Sequence, residues 1–195
     1  MKRALPFAGF LGGATWMALA FFPPDWGPPG SQEYVGYQLW NRLWTPALVC
    51  MFLGFLGFLL SKRPTPAASN KGLLALLLGG LSLMTLGNVA EFWVFTDVPY
   101  SGGRGLNVRD AAYMAFLLGS LLAIIGSTTF GLLAVVRRWS PRWLSFAFAL
   151  AMPATIALAS ISFSLVAVPL GALCVAASVH QLSDLGPLGR KAEAA

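Results

Sequence analysis

Long apolar runs separated by short polar segments follow one another along this chain. The apolar runs extend over about residues 5–22, 46–60, 72–95, 110–136 and 144–179. A membrane-spanning helix needs roughly 20 apolar residues, because each residue advances the helix by about 1.5 Å and the hydrocarbon core is about 30 Å thick. The pattern therefore predicts an all-α fold, a polytopic transmembrane helical bundle.

The last run is too long for a single crossing. A helix over residues 144–179 would measure about 54 Å, so we predict two crossings, divided near residues 160–164. Pro153 and Pro169 lie in the middle of the two halves. Proline removes a backbone hydrogen bond within a helix, so each half is predicted to bend.

The second run is slightly short. Residues 46–61 would span only about 24 Å as a helix. Upstream, from about Gln32, the residues Tyr37, Trp40 and Trp44 repeat at helical spacing. We therefore favour one kinked helix that begins near Gln32 and contains Pro46, with a helix start at Thr45-Pro46 as the alternative.

The first run also has features of a secretory signal peptide. Lys2 and Arg3 precede it, and the tripeptide Ala18-Leu19-Ala20 resembles a cleavage site. Cleavage would leave five crossings and place the new N-terminus outside. Trp16 and the length of the run favour an uncleaved span. Six crossings with both termini cytoplasmic are therefore the prediction, and five crossings after cleavage are the alternative.

Positive charge is concentrated on one predicted side of the membrane. Ten of the 13 Lys and Arg residues fall in four clusters, at 2–3, 62–71, 137–142 and 190–191. Short loops rich in Lys and Arg remain in the cytoplasm, so these clusters predict the cytoplasmic face. Anionic lipid headgroups beside that face account for the net charge of +6. The sequence contains no basic patch interleaved with aromatic residues, so nucleic acid is not predicted as a partner.

The composition is that of a membrane protein, with 57% hydrophobic and 10% charged residues, whereas soluble domains are about 25% charged. We predict one transmembrane domain over 1–182 and a flexible cytoplasmic tail over 183–195. The expected location is a plasma membrane of bacterial type. The predicted partners are the lipid bilayer and either another membrane protein or a second copy of this chain.

The sequence contains no complete catalytic or metal-binding set. It has no HExxH, no phosphate-binding glycine loop with its lysine, and no serine at a recognised spacing from a catalytic partner. Cys50 and Cys174 lie inside apolar runs, and His180 stands alone. We therefore predict no catalytic residues, no metal and no cofactor, and we lean against an enzyme.

Glycines recur at seven-residue spacing on crossings three and four. They are Gly80 and Gly87 on the first of these crossings, and Gly119 and Gly126 on the second. Because glycine lets two helices approach closely, this spacing predicts that crossings three and four pack as an antiparallel pair. Gly12, in crossing one, is expected to face lipid or a looser contact.

Glu91 is the one carboxylate well inside an apolar run, on the helix face that carries Gly80 and Gly87. A charge in the membrane is costly unless it has a partner. The candidate outer pocket comprises polar residues and two aromatic walls, namely Asn88, Glu91, Trp93, Asp97, Tyr100, Arg104, Asn107 and Arg109. These residues either bind a ligand or hold the outer loop against the helix bundle. We favour the second role, through an ion pair of Glu91 with Arg109 first and with Arg104 or Arg42 next.

Tryptophans lie near the ends of the predicted crossings, as in an interfacial aromatic belt. They are Trp40, Trp44, Trp93, Trp139 and Trp143. Asp110 is a plausible acidic start for crossing four. The favoured function is a non-catalytic accessory, assembly or interaction subunit with an ordered exoplasmic face. The alternatives are a small transporter or channel using Glu91 and Asn88, and a membrane enzyme acting on a lipid or small molecule at the outer pocket.

Overall fold

A computed structural model describes residues 3–25, 27–28, 31–61, 68–101, 105–138 and 141–184. Within these ranges the chain forms helices and no strands. The α-helices are α1 (Ala4–Phe21), α2 (Gln32–Leu60), α3 (Ala68–Val89), α4 (Val108–Val136), α5 (Arg142–Ala149), α6 (Ala151–Ala159) and α7 (Val168–Asp184). A π-helical turn, Ala90–Val94, extends α3, and a 3-10 helix, Phe163–Ala167, precedes α7.

Five helical stretches in the described ranges are long and apolar enough to cross a membrane. They are α1, α2, α3 with its π-helical turn, α4, and α7 with the end of the 3-10 helix. The bent pair of α5 and α6 provides a sixth when it is counted as one span. The fold is therefore all-helical, with five to six candidate crossings.

The bend between α5 and α6 is explained by Pro153. Proline has no N–H to donate to the carbonyl four residues earlier, and its ring clashes with that carbonyl, here the one of Ala149. α5 ends at Ala149, and the two helices meet at an angle of 42°. The predicted bend in this half of the long run is present.

The predicted mid-span bend at Pro169 is wrong. The break in the long run covers residues 160–162 and the 3-10 helix, so Pro169 becomes the second residue of α7. Proline is well accommodated there, because the first turn of a helix has no intrahelical partner for its N–H groups. α7 continues to Asp184, two residues into the predicted tail, and residues 185–195 lie outside the described ranges.

Side-chain caps define the starts of two long helices. The Ser31 hydroxyl accepts a hydrogen bond from a backbone N–H in the first turn of α2, and α2 then continues through Pro46 as one helix. Asn107 caps α4 by accepting from the N–H groups of Arg109 and Asp110, each at 2.9 Å. The Asp110 carboxylate accepts in return from the Asn107 N–H, which completes a capping box.

Neighbouring helices in the sequence pack side by side, from α1 to α5, and α7 packs on α1, with smaller contacts to α2 and α5. Apolar side chains fill the interior. Phe148 stacks on Phe58 at 5.8 Å between ring centroids and meets Phe130 edge-on at 4.9 Å. Trp16 and Trp44 meet edge-on at 4.0 Å elsewhere in the same core.

Trp44 lies in the core, so its predicted place in an interfacial belt is wrong. It is 7% exposed, and the helix face that it shares with Trp40 packs against α1, where the Trp40 Nε1 donates to the carbonyl of Leu19 at 3.1 Å. Trp93 and Trp143 are 54% and 52% exposed, as belt residues would be. Trp139 lies outside the described ranges.

Glycines lie where α3 and α4 approach most closely. A Cβ atom at Gly80 would lie 2.5 Å from the backbone nitrogen of Ala123, and one at Gly87 would lie 2.6 Å from that of Phe116. From the other helix, Cβ atoms at Gly119 and Gly126 would lie 2.5 Å and 2.8 Å from backbone nitrogens of α3. Any larger residue at these positions would push the two backbones apart.

The expectation that Gly12 faces lipid or a looser contact is wrong. A Cβ atom at this position would lie 2.6 Å from the backbone nitrogen of Met51 and 2.7 Å from the carbonyl oxygen of Ala47. The α1–α2 pair therefore closes on a glycine in the same way as the α3–α4 pair. Gly12 belongs to no repeated stripe of the kind that singled out Gly80 and Gly87, which explains the error.

Candidate functional site

The π-helical turn at the end of α3 directs successive side chains to different neighbours. Glu91 and Phe92 are buried, whereas Trp93 is exposed. The Phe92 ring packs edge-on against Tyr37, and its carbonyl accepts a hydrogen bond of 2.8 Å from the Nε of Arg42. π-Helical turns inside α-helices are frequent at functional sites. We refer to this end of the bundle, where α3 ends and α4 begins, as the Glu91 end.

Glu91 is only 2% exposed, and its carboxylate accepts a hydrogen bond from the Tyr100 hydroxyl. Partial burial raises the pKa of Tyr100, and the hydrogen bond to Glu91 raises it further. The phenol therefore keeps its proton and remains a donor at neutral pH. Through this bond the segment that connects α3 with α4 closes over the buried carboxylate.

Arg109, at the start of α4, is also 2% exposed. One of its amino groups donates to the carbonyls of Thr96 and Val98, at 3.2 and 2.9 Å. The other donates to the Tyr34 hydroxyl of α2 at 3.3 Å. Its Cζ lies 4.4 Å from the centre of the Tyr100 ring, a cation–π contact that is strongest away from water. Arg109 thus ties α4 to the connecting segment and to α2.

The prediction of a direct ion pair between Glu91 and Arg109 is wrong in its geometry. Tyr100 stands between the two charges, with its hydroxyl on the carboxylate and its ring against the guanidinium. One amino group of Arg109 instead donates to the backbone carbonyls of Thr96 and Val98. Arg42 contacts other residues, and Arg104 lies outside the described ranges. We call Glu91, Tyr100 and Arg109 the tyrosine bridge.

A second polar group joins α3 to α2. The Thr45 hydroxyl donates to the Asn88 side-chain carbonyl at 2.6 Å and accepts from the Trp93 Nε1 at 3.1 Å. The Arg42 guanidinium lies over the Trp93 ring, with its Cζ 5.4 Å from the ring centre. Thr45 is therefore an interhelical contact in the middle of α2, and the alternative in which it starts a helix is wrong.

Five of the eight residues of the candidate pocket belong to these two groups, and Arg104 lies outside the described ranges. Glu91, Tyr100 and Arg109 form the tyrosine bridge, with Asn107 beside it as the cap of α4 and as a donor to the Pro99 carbonyl at 2.7 Å. Asn88 and Trp93 belong to the second group. Asp97 is exposed and accepts a bond of 3.4 Å from the Thr96 hydroxyl. The described members therefore form two separate hydrogen-bonded groups and not one pocket.

The contribution of α2 to this site was not predicted from the sequence. Tyr34, Tyr37, Asn41 and Thr45 recur at i, i+3, i+7 and i+11, so they form a polar stripe on one helix face. Tyr34 and Thr45 each bond to the Glu91 end, while the Asn41 amide donates to the Tyr37 carbonyl at 2.9 Å. This spacing is visible in the sequence, but Tyr37 was grouped with Trp40 and Trp44, which have a similar spacing.

No protein-family model, curated protein or solved structure matches this chain. In the part of the chain that the structure describes, no three His, Cys, Asp or Glu side chains gather as they would to hold a metal ion. The function is therefore inferred from the geometry of the Glu91 end.

Proposed function

We propose that this protein is a non-catalytic integral membrane subunit with an ordered outer face that serves assembly or interaction. The observation that carries the proposal is the tyrosine bridge, in which the buried charges of Glu91 and Arg109 both engage Tyr100. A transport or catalytic carboxylate must exchange its partners during the reaction, whereas this carboxylate fastens a connecting segment. The bridge therefore favours a structural role for Glu91.

We further propose six crossings in a plasma membrane of bacterial type, with both termini cytoplasmic and the Glu91 end outside. The support is the distribution of positive charge, with ten of 13 Lys and Arg residues on the proposed inner side. Single cysteines at Ser69 and Ser101, in a chain lacking Cys50 and Cys174, test this arrangement in intact cells. An impermeant thiol reagent should label the cysteine at position 101 and leave the one at 69 unlabelled.

Labelling at both positions from outside would contradict this topology. The five-crossing alternative predicts a different outcome, loss of α1 from the mature chain. The mass of the protein purified from membranes distinguishes the two, because cleavage after Ala20 would remove residues 1–20, which include Trp16. We expect the mass of a chain that retains α1, since Gly12 and Trp16 pack tightly against neighbouring helices.

Apolar side chains on the fastened segment are suited to contact a partner. Leu106 is 81% exposed, Val108, two residues later at the start of α4, is 52% exposed, and Val94, at the end of the π-helical turn, is 61% exposed. Contiguous exposed apolar patches are typical of protein–protein and membrane interaction sites. The partner is therefore proposed to be a membrane protein or a second copy of the chain.

Native mass spectrometry after gentle extraction tests the proposal. We expect the wild-type chain to carry a second polypeptide in a fixed ratio, and Leu106→Ser to lose it without a change in thermal stability. Ile161→Ser is the matched control, because Ile161 is 74% exposed in another turn. A chain that is always alone, and that moves solutes across vesicle membranes in a Glu91-dependent way, would overturn the proposal in favour of a transporter.

A further inference from the structure

An apolar groove with a volume of 840 Å³ lies along α2, beside the π-helical turn. Its lining includes Leu39, Leu43, Pro46 and Val49, with Arg42 and Trp93 at one side. Leu39, Leu43 and Val49 are 54%, 53% and 42% exposed, so the groove opens to the surroundings of the bundle. Its volume falls in the range of roughly 300–1,000 Å³ that is typical of ligand sites.

Arg42 is held in this groove in a way that leaves its amino groups available. Its Nε donates to the Phe92 carbonyl at 2.8 Å, and its Cζ lies 5.4 Å from the centre of the Trp93 ring. The Trp93 ring is itself fixed by its hydrogen bond to Thr45. In the described ranges the two terminal amino groups of Arg42 have no hydrogen-bond acceptor. A guanidinium presented in this way can bind two oxygens of one phosphate.

The position of Arg42 along α2 matches the depth of lipid phosphates. Eighteen residues separate it from Leu60, the last residue of α2, which corresponds to about 27 Å of helix. The hydrocarbon core is about 30 Å thick. If Leu60 marks one boundary of the core, Arg42 lies near the other. From Arg42 to Val49 the groove then follows about 10 Å of apolar wall into the hydrocarbon.

We propose that this groove binds one phospholipid, with its phosphate on Arg42 and one acyl chain along Leu43, Pro46 and Val49. Charge complementarity selects this occupant over a partner's transmembrane helix, because a phospholipid supplies an anion at the headgroup boundary together with an apolar chain below it. The site is separate from the tyrosine bridge and from Leu106. The groove shares no lining residue with the tyrosine bridge or with Leu106, so the two proposals are tested by different substitutions.

Delipidated full-length protein in detergent, titrated with dioleoyl phosphatidylglycerol and observed by native mass spectrometry, tests the proposal. We expect one tightly bound lipid for each chain. Dioleoylglycerol, which has the same acyl chains and no phosphate, should bind much more weakly, and inorganic phosphate should not displace the phospholipid. Arg42→Gln should lower the affinity roughly tenfold to a hundredfold, as expected for a lost charged hydrogen bond.

A second variant separates lipid binding from folding. Val49→Trp fills the groove from an exposed position without touching the contacts of Arg42, and it should abolish the bound lipid. The matched controls are Lys71→Gln, which removes a cation elsewhere, and Leu121→Trp, which enlarges a residue that is 50% exposed on α4. Both controls should bind lipid like the wild type.

Three results would overturn the proposal. Equal affinities for dioleoylglycerol and the phospholipid would exclude recognition of phosphate, and displacement of the lipid by inorganic phosphate would exclude a role for the acyl chain. A bound polypeptide that Val49→Trp displaces, with no lipid in its place, would assign the groove to a partner's helix.

Discussion

Two arginines at the Glu91 end of the bundle have opposite environments. Arg109 is 2% exposed, and its amino groups donate to two backbone carbonyls and to the Tyr34 hydroxyl. Arg42 is half-buried, and within the described ranges it contacts the protein through its Nε and the face of its guanidinium. Arg109 stands at the start of α4, where the connecting segment closes over it, whereas Arg42 lies on the side of α2. Arg109 therefore connects α4 to neighbouring segments, whereas the amino groups of Arg42 remain available to a ligand.

The largest effect on the free energy of unfolding is expected from substitution of Arg109. Arg109→Gln should lower the free energy of unfolding by about 3–5 kcal/mol, because a buried charge loses its compensation and two carbonyls lose a charged donor. Denaturant unfolding in detergent measures it. Adding Glu91→Gln should recover part of the loss, since the two charges interact through a shared neighbour. Strictly additive losses would show that the two residues do not act together.

The next effect concerns packing below the tyrosine bridge. Gly80→Leu should destabilise the protein by at least about 1–3 kcal/mol, because α3 and α4 must separate. Gly79→Leu is a matched control on the same helix, since Gly79 has no neighbour within 4 Å of an added Cβ. Gly12→Leu should resemble Gly80→Leu. Equal thermal stability of the variants at 79 and 80 would remove the basis for the close α3–α4 approach.

An effect of similar or smaller size is expected from the Tyr100 hydroxyl, which bonds to Glu91. Tyr100→Phe removes one hydrogen bond to a buried carboxylate and should cost about 1–3 kcal/mol. Because the pKa of Tyr100 is raised in the folded protein, this contribution is complete below the unfolded value of about 10 and declines as the pH rises above it. Wild-type stability should therefore fall more steeply than that of Tyr100→Phe in alkaline solution. Parallel pH profiles would argue against the bond.

Arg42→Gln is expected to have the smallest effect on folding. The variant loses one hydrogen bond and a partly exposed cation–π contact, which together stabilise the fold by about 1–2 kcal/mol. Thermal unfolding in lipid-free detergent measures the loss. A destabilisation as large as that of Arg109→Gln would mean that Arg42 also has mainly a structural role.

The helical elements were largely predictable because they follow from length and hydropathy. The start of α2 near Gln32, the capping region of α4 and the bend at Pro153 all depend on local sequence, and the structure has each of them. Pro169 was misread because its effect depends on where the preceding helix breaks. A proline bends a helix from the middle and is accommodated in its first turn.

The candidate site was predictable as a set of residues more than as an arrangement. Burial of Glu91 followed from its helix face, and Arg109 was expected nearby. The position of Tyr100 between them depends on the path of the connecting segment, which no periodicity encodes. The groove at Arg42 depends on the π-helical turn, whose Phe92 carbonyl and Trp93 side chain bond to α2. Three-dimensional contacts of this kind leave no pattern along the sequence.

The division of roles between Arg109 and Arg42 is tested most directly by denaturant unfolding of both Gln variants, with and without dioleoyl phosphatidylglycerol. Without lipid, Arg109→Gln should lose about 3–5 kcal/mol and Arg42→Gln about 1–2 kcal/mol. Added lipid should stabilise the wild type and Arg109→Gln by equal amounts and should stabilise Arg42→Gln by about 1.4–2.7 kcal/mol less, as follows from a tenfold to hundredfold weaker affinity. Equal losses in the two variants, or equal stabilisation of all three proteins by the lipid, would contradict it.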